Sequence, residues 1–168
     1  GNACYSWGQY DKALEYYEEG LVIDKRLGKE DRIATFLNNI GGVYSDWGQY
    51  DKALEYHEEA LAIARKLGLE SGIATCLNNI GWNYGSQGKY KTAIKYYTES
   101  VKIKEKLRKT ATGDIRRDYL ASQLYTYQWL TYAYIRDSNI LGAFQTVELS
   151  RAKLLTERLA GDESKVRP

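Results

Sequence analysis

The sequence predicts an all-α fold, a solenoid of stacked antiparallel helix pairs, and three observations predict it. The first is a forty-residue period. Residues 1–40 laid over 41–80 give 25 identities, among them the unbroken WGQYDKALEY at 7–16 and 47–56. Self-similarity at such a period belongs to repeats that each bury a face against the next. The second is the lack of internal proline: the one Pro is residue 168, so no position before it forces a long helix to break. The third is apolar spacing at three and four residues, the period of an amphipathic helix.

The elements follow in order from the repeat. Gly1 takes the place of Gly41, so most of the first helix of repeat one (1–28) is missing. The helix near 9–27 is expected to have lost its partner, leaving Leu14, Tyr17, Leu21 and Ile23 partly uncovered or covered by another chain, and the natural protein is expected to extend further towards its N-terminus. Repeat two (31–68) has a first helix with Leu37, Ile40 and Tyr44 on one stripe. Its second helix carries Tyr50, Ala53, Leu54, Ala60, Leu61, Ala64 and Leu67. Gly48 in the turn, and Gly68 and Gly28 at helix ends, read as left-handed caps. Small Gly41, Ala53 and Ala60 let the paired helices approach closely.

Repeat three (71–108) keeps the anchors as Gly81, Tyr84, Gly88, Tyr90, Ala93 and Tyr96. Repeat four (113–160) is degenerate and arrives ten residues late, which places an insertion near RKTATGDIRRD at 108–118. Its second helix, within AFQTVELSRAKLLTERLAG at 143–161, is expected to face Ala143, Val147, Ser150, Leu154 and Leu155 inwards. Residues 161–168 read as a tail or linker.

Composition excludes several classes. No apolar run approaches the roughly 18 residues of a membrane span, and no signal peptide opens the chain. Cys4 and Cys76 are too few for a disulfide framework or a metal site, and fit a reducing cytoplasm. Net charge is only +2. Residues 1–70 carry 13 acidic and 8 basic side chains, and residues 71–168 carry 9 and 16, so the halves stand at −5 and +7. That asymmetry would steer an acidic partner towards the second half.

No catalytic constellation is expected. His57, the sole histidine, stands where Tyr17 and Tyr97 stand in neighbouring repeats, which reads as a packed aromatic. Nothing in the pattern brings Cys76 to it, as a Cys–His dyad would need. The turns WGQYDKA and QGKYKTA lack a phosphate-loop pattern, so no nucleotide or other cofactor is implied. Lys102, Lys106 and Lys109 fall at i, i+4 and i+7, with Arg116 and Arg117 beyond. Glu105 four residues before Lys109 favours a salt-bridged solvent face. An acidic protein surface or RNA is the alternative, direct RNA contact being the lesser reading for want of stacking aromatics beside the patch.

The string LNNIGGVYSDWGQYDKALEYHEEALAI at 37–63 resembles a tetratricopeptide repeat, in the elongated form of kinesin light chains and many bacterial signalling proteins. The resemblance implies a right-handed superhelical solenoid whose first helices line a concave groove used to bind proteins or peptides. The groove row then reads Asn2 from repeat one; Asn38, Asn39 and Ser45 from repeat two; Asn78, Asn79 and Trp82 from repeat three; and Tyr125, Trp129, Tyr132 and Arg136 from repeat four. Amide side chains both donate and accept, so a ladder of them can grip an extended backbone, with aromatics as anchors. Asn39 and Asn79 are the sharper candidates; the competing reading is that the amides brace helices within the stack. Asn2 and Asn39 match the asparagines of the two-carboxylate clamp for chaperone tails. Thr75 and Asn79 stand where that clamp is basic, which disfavours it.

The segment Glu148, Arg151, Ala152, Leu154 and Leu155 resembles the last repeat helix of bacterial proteins in which such repeats precede a CHAT domain, a caspase-like protease module. That resemblance implies a recruitment arm for a downstream protease, with relatives acting beside RNA-guided effectors. A sensor module of a bacterial signalling or transcriptional regulator is the other reading. Any protease dyad would lie beyond residue 168.

Overall fold

The computed structural model describes residues 2–166, with side chains for 9–113 and 115–156. Among them it has seven helices and no strand. In order they are α1 (Asn2–Leu27), α2 (Glu30–Asp46), α3 (Tyr50–Leu67), α4 (Glu70–Ser86), α5 (Tyr90–Thr110), α6 (Gly113–Arg136) and α7 (Ile140–Val166). Each packs against the next. In addition the backbones of α2 and α4, and of α4 and α6, come close, while among the described residues those of α3 and α5, and of α5 and α7, do not; long side chains bridge the wider gaps, Arg65 to Glu99 and Lys153 to Glu105. The first helices of the pairs therefore form the closer, concave row.

The turns repeat because their chemistry does. Gly28, Gly48, Gly68 and Gly88 sit at φ +65°, +79°, +67° and +76°. Beyond each glycine the next N–H bonds a carbonyl five residues back, as Leu69 does to Ala64 at 2.9 Å. Ser138 takes the same role at φ +58° in the turn within repeat four. The junction of α5 and α6 departs from the pattern, with Ala111 extended. α1 runs unbroken from Asn2 through Gly8, where repeat two turns at Gly48.

Leu37, Ile40, Leu77 and Ile80 are buried at the core of the stack. A Cβ on Gly41 would stand 2.8 Å from the His57 ring, and one on Gly81 would stand 3.0 Å from Tyr97, so this glycine lets the second helix press an aromatic onto the first. At the edge of the core, Tyr44 stacks on Tyr56 and Tyr84 on Tyr96, both at 5.5 Å. The ion pair Lys66–Glu30 recurs as Lys106–Glu70. On α1, Leu14 and Leu21 are buried and Tyr17 half-buried, whereas Ile23 is exposed beside Val22 and Leu27.

The last repeat departs from expectation. α7 turns Ala143, Thr146, Ser150 and Lys153 inwards, while Val147, Leu154 and Leu155 are exposed. The reason is ionic. The Glu105 carboxylate accepts hydrogen bonds from Gln123 at 2.8 Å and Arg108 at 3.2 Å, and it pairs with Lys153. Burial raises the Glu105 pKa, but the bonds from Lys153, Gln123 and Arg108 outweigh it and hold the group at about 2. Beside it Lys104, off the expected stripe of Lys102, Lys106 and Lys109, is buried. It donates to Thr126 Oγ1 at 2.8 Å, and burial lowers its pKa to about 8. α7 itself runs on to Val166, so the expected tail from 161 lies in helix up to that residue.

Candidate protein-interaction groove

The paired asparagines separate by role. Asn38 Oδ1 accepts from Asn79 Nδ2 at 3.1 Å, lies 3.1 Å from His57 Nδ1, and takes the Cys76 thiol at 3.6 Å. It thus ties α2 to α3 and to α4. Asn78 Oδ1 accepts from Thr126 Oγ1 at 2.9 Å and ties α4 to α6. Asn79 is therefore spent partly on Asn38. Asn39 is half-buried and makes no hydrogen bond among the described residues. In repeat four the place of Asn79 belongs to Trp129. Three of the four amides thus brace the stack, and Asn39 makes no such bond among the described residues.

The same hub bears on an expectation about chemistry. His57 and Cys76 share a neighbour, each lying against the Asn38 carbonyl. Burial lowers the His57 pKa to about 4 and raises the Cys76 thiol to about 11. At neutral pH both are uncharged, the opposite of the thiolate a nucleophilic dyad requires. Ser45, expected in the groove row, is buried without a partner for its hydroxyl. Its equivalent Gly85 faces Ala93 and Tyr97, so this position looks towards the second helix. Asn2 lies outside the residues whose side chains are described.

Trp82, Tyr125, Trp129, Tyr132 and Arg136 come together. Trp82 and Trp129 meet edge-to-face at 4.2 Å, and Trp129 makes further edge contacts with Tyr125 at 5.9 Å and Tyr132 at 6.2 Å. Tyr132 packs on Tyr90 at 6.3 Å, and Arg136 Nε donates to the Tyr90 hydroxyl at 3.1 Å. Between these rings lies a cleft of about 190 Å³, floored by Gly85, Tyr97 and Ala133. Trp82 and Tyr132 remain 37% and 47% exposed, large aromatics that the stack does not need to bury.

Departure from the repeat makes the cleft. Trp82 replaces Gly42 and Gly85 replaces Ser45, so repeat three gains a wall and loses a plug at once. Tyr90 and Gly85 were not among the expected groove residues. The signal for Gly85 was there, a glycine outside any turn where the preceding repeat has serine.

The basic stripe is largely engaged. Lys106 pairs with Glu70, Lys109 Nζ lies 3.8 Å from Glu105, and Lys102 is exposed. Arg116 and Arg117, on α6, also make interactions within the structure. Among the described residues no helix is long and apolar enough to cross a membrane, and no cluster of His, Cys, Asp or Glu is placed to hold a metal ion.

Comparison with known proteins gives a consistent picture. Family descriptions of the tetratricopeptide repeat match residues 32–106 and residues 1–26. No curated protein sequence matches. Among solved structures, BtubC (BKLC) from P. vanneervenii is similar at 24% identity and a TM-score of 0.74, over 96% of this chain and 61% of that one. The chain thus spans less than two thirds of that relative. The TPR domain of Arabidopsis FLU is similar at 18% identity and a TM-score of 0.63, over 76% of this chain and 98% of that domain. The nearly identical TPR-like repeats of a kinesin light chain from Podosopora anserina are similar at 19% identity and a TM-score of 0.70, over 92% and 72% respectively. At these identities the likeness is one of fold.

Proposed function

Because the chain belongs to the tetratricopeptide repeat family, whose helix pairs serve as protein-interaction scaffolds, we propose that it binds a peptide or protein segment along its concave face. One observation carries this reading: exposed Trp82, Tyr125 and Tyr132 gather with Trp129 and Arg136 at the place where repeats three and four abandon the consensus of repeat two. Large aromatics in a partly desolvated cleft are the usual anchors of an interface. Asn39, its amide unbonded among the described residues, would hold backbone further along the row.

The test is selection of binders from a random displayed-peptide library, followed by affinity measurement on variants. Trp82→Ala and Trp129→Ala should each weaken the selected peptides by at least ~10-fold, about 1.4 kcal/mol. Asn39→Ala should weaken them less. Peptides that bind both tryptophan variants as well as the parent would place the site elsewhere and reject the reading.

A finer reading makes these repeats the recruitment arm of a larger bacterial CHAT-type protease, and the run Glu148, Arg151, Ala152, Leu154 and Leu155 supports it. In such a protein, groove ligands would change proteolysis, and Trp129→Ala would abolish that response while leaving ligand-free proteolysis intact. Proteolysis indifferent to every groove ligand would reject the coupling.

A further inference from the structure

α7 carries a second apolar face, opposite the stripe that meets the stack. On it Leu141, Phe144 and Leu155 are 67%, 63% and 59% exposed, with Ala152 between them. The period shows that this face is a departure. Leu141 stands where α3 and α5 have Asp51 and Lys91, and Leu155 where they have Arg65 and Glu105. Leucine replacing charge towards both ends of this face builds a surface that water does not favour, and an apolar patch of this kind belongs to an interface. The charges set into its centre are Glu148 and Arg151, 3.3 Å apart on one turn.

We propose that this face pairs with the same face of a second copy, two α7 helices lying antiparallel across a two-fold axis between Leu149 and Ser150. The charges fix both partner and register. About that axis Glu148 of each copy meets Arg151 of the other, and Phe144 of each meets Leu155 of the other, so the surface is complementary to itself. A register centred on Glu148 would set two carboxylates face to face and is disfavoured. Antiparallel pairing also continues the fold, since each helix of the stack runs opposite to the one before it. The dimer leaves the concave cleft open, because the cleft lies between α4 and α6.

Analytical ultracentrifugation of the chain tests this. The unaltered chain should sediment as a concentration-dependent dimer at up to roughly 200 µM, within the range where weak isologous contacts are populated. Phe144→Glu with Leu155→Glu should leave a folded monomer of unchanged helicity. Glu148→Arg and Arg151→Glu should each raise the dimer Kd at least ~10-fold by setting like charges together, and combining them should restore it to within about threefold. A chain that stays monomeric throughout, its α7 face reserved for some other protein or domain, overturns the proposal. So does a dimer indifferent to these substitutions, or one that the combined swap fails to restore.

Discussion

Asn38→Ala is expected to destabilise the fold by about 2–3 kcal/mol, a fall of roughly 5–10 °C in Tm, while Asn39→Ala beside it changes stability by less than about 0.5 kcal/mol. The two residues are adjacent and chemically identical, so the contrast isolates geometry. Removing the Asn38 carbonyl strips an acceptor from His57 and from Asn79 together. His57 has no escape through its other tautomer. Its Nε2 is buried without a partner, so a proton moved there would be as unsatisfied as the one left behind. Asn79 is half-buried and can recover part of its loss from water, which keeps the total near one fully stranded donor and one partly stranded. Asn39 has no partner among the described residues to lose. Urea and thermal denaturation followed by circular dichroism would measure both variants. Equal effects at the two positions would mean that the hub does not hold the stack.

Those two asparagines also show where sequence reading ends. The apolar stripe of Leu37, Ile40 and Tyr44 is local, so the period alone exposes it, and it also shows that the amides lie off that stripe. What each amide bonds depends on a residue some forty positions away and on a rotation of 100° between neighbours along a helix. The caps were legible for the same reason as the stripe: Gly28, Gly48, Gly68 and Gly88 act within their own turns. α7 was legible as a helix but not in its rotation. Val147 and Leu154 offered an apolar stripe as plausible as any, yet the Glu105 carboxylate on α5 draws Lys153 inwards and turns that stripe to solvent. Lys104, buried where Thr126 receives it, was not singled out, for a kindred reason: its partner lies on another helix. Trp82, Tyr125, Trp129 and Tyr132 each stand in the expected groove row as single residues. Their convergence, and the part of Gly85 in opening it, needed the stack.

Acidification from pH 7.5 to pH 5 is expected to remove about 2 kcal/mol of stability through His57 alone, approaching about 3 kcal/mol near pH 4. The sign follows from burial. Desolvation holds the folded imidazole at about 4, below its ordinary value of 6.5. Between those values the unfolded chain takes up a proton that the folded chain refuses. Stability from this group is therefore whole above pH 6.5, falls as the pH drops towards 4, and is level below that. Glu105 acts in the same direction in a lower window. Its folded value of about 2 lies beneath the ordinary 4.5, so its contribution is whole above pH 4.5 and lost as the pH falls towards 2. Between pH 6.5 and 4.5 the His57 window stands apart from that of Glu105, and the chain has no other histidine to titrate there. His57→Tyr is the informative variant. Tyrosine already occupies this register at Tyr17 and Tyr97, and Gly41 clears space for the ring as Gly81 does for Tyr97. The Tyr97 hydroxyl lies 4.0 Å from where a Cβ on Gly85 would stand. The equivalent position in repeat two is Ser45, whose buried hydroxyl has no partner, so a tyrosine hydroxyl at position 57 would arrive beside a group that needs one. Chemical denaturation at pH 7.5, 6 and 5 should show the slope in the parent and a flat line in His57→Tyr, with both falling together once the carboxylates titrate. A variant that keeps the parent's slope between pH 6.5 and 5 would show that the lost stability comes from elsewhere.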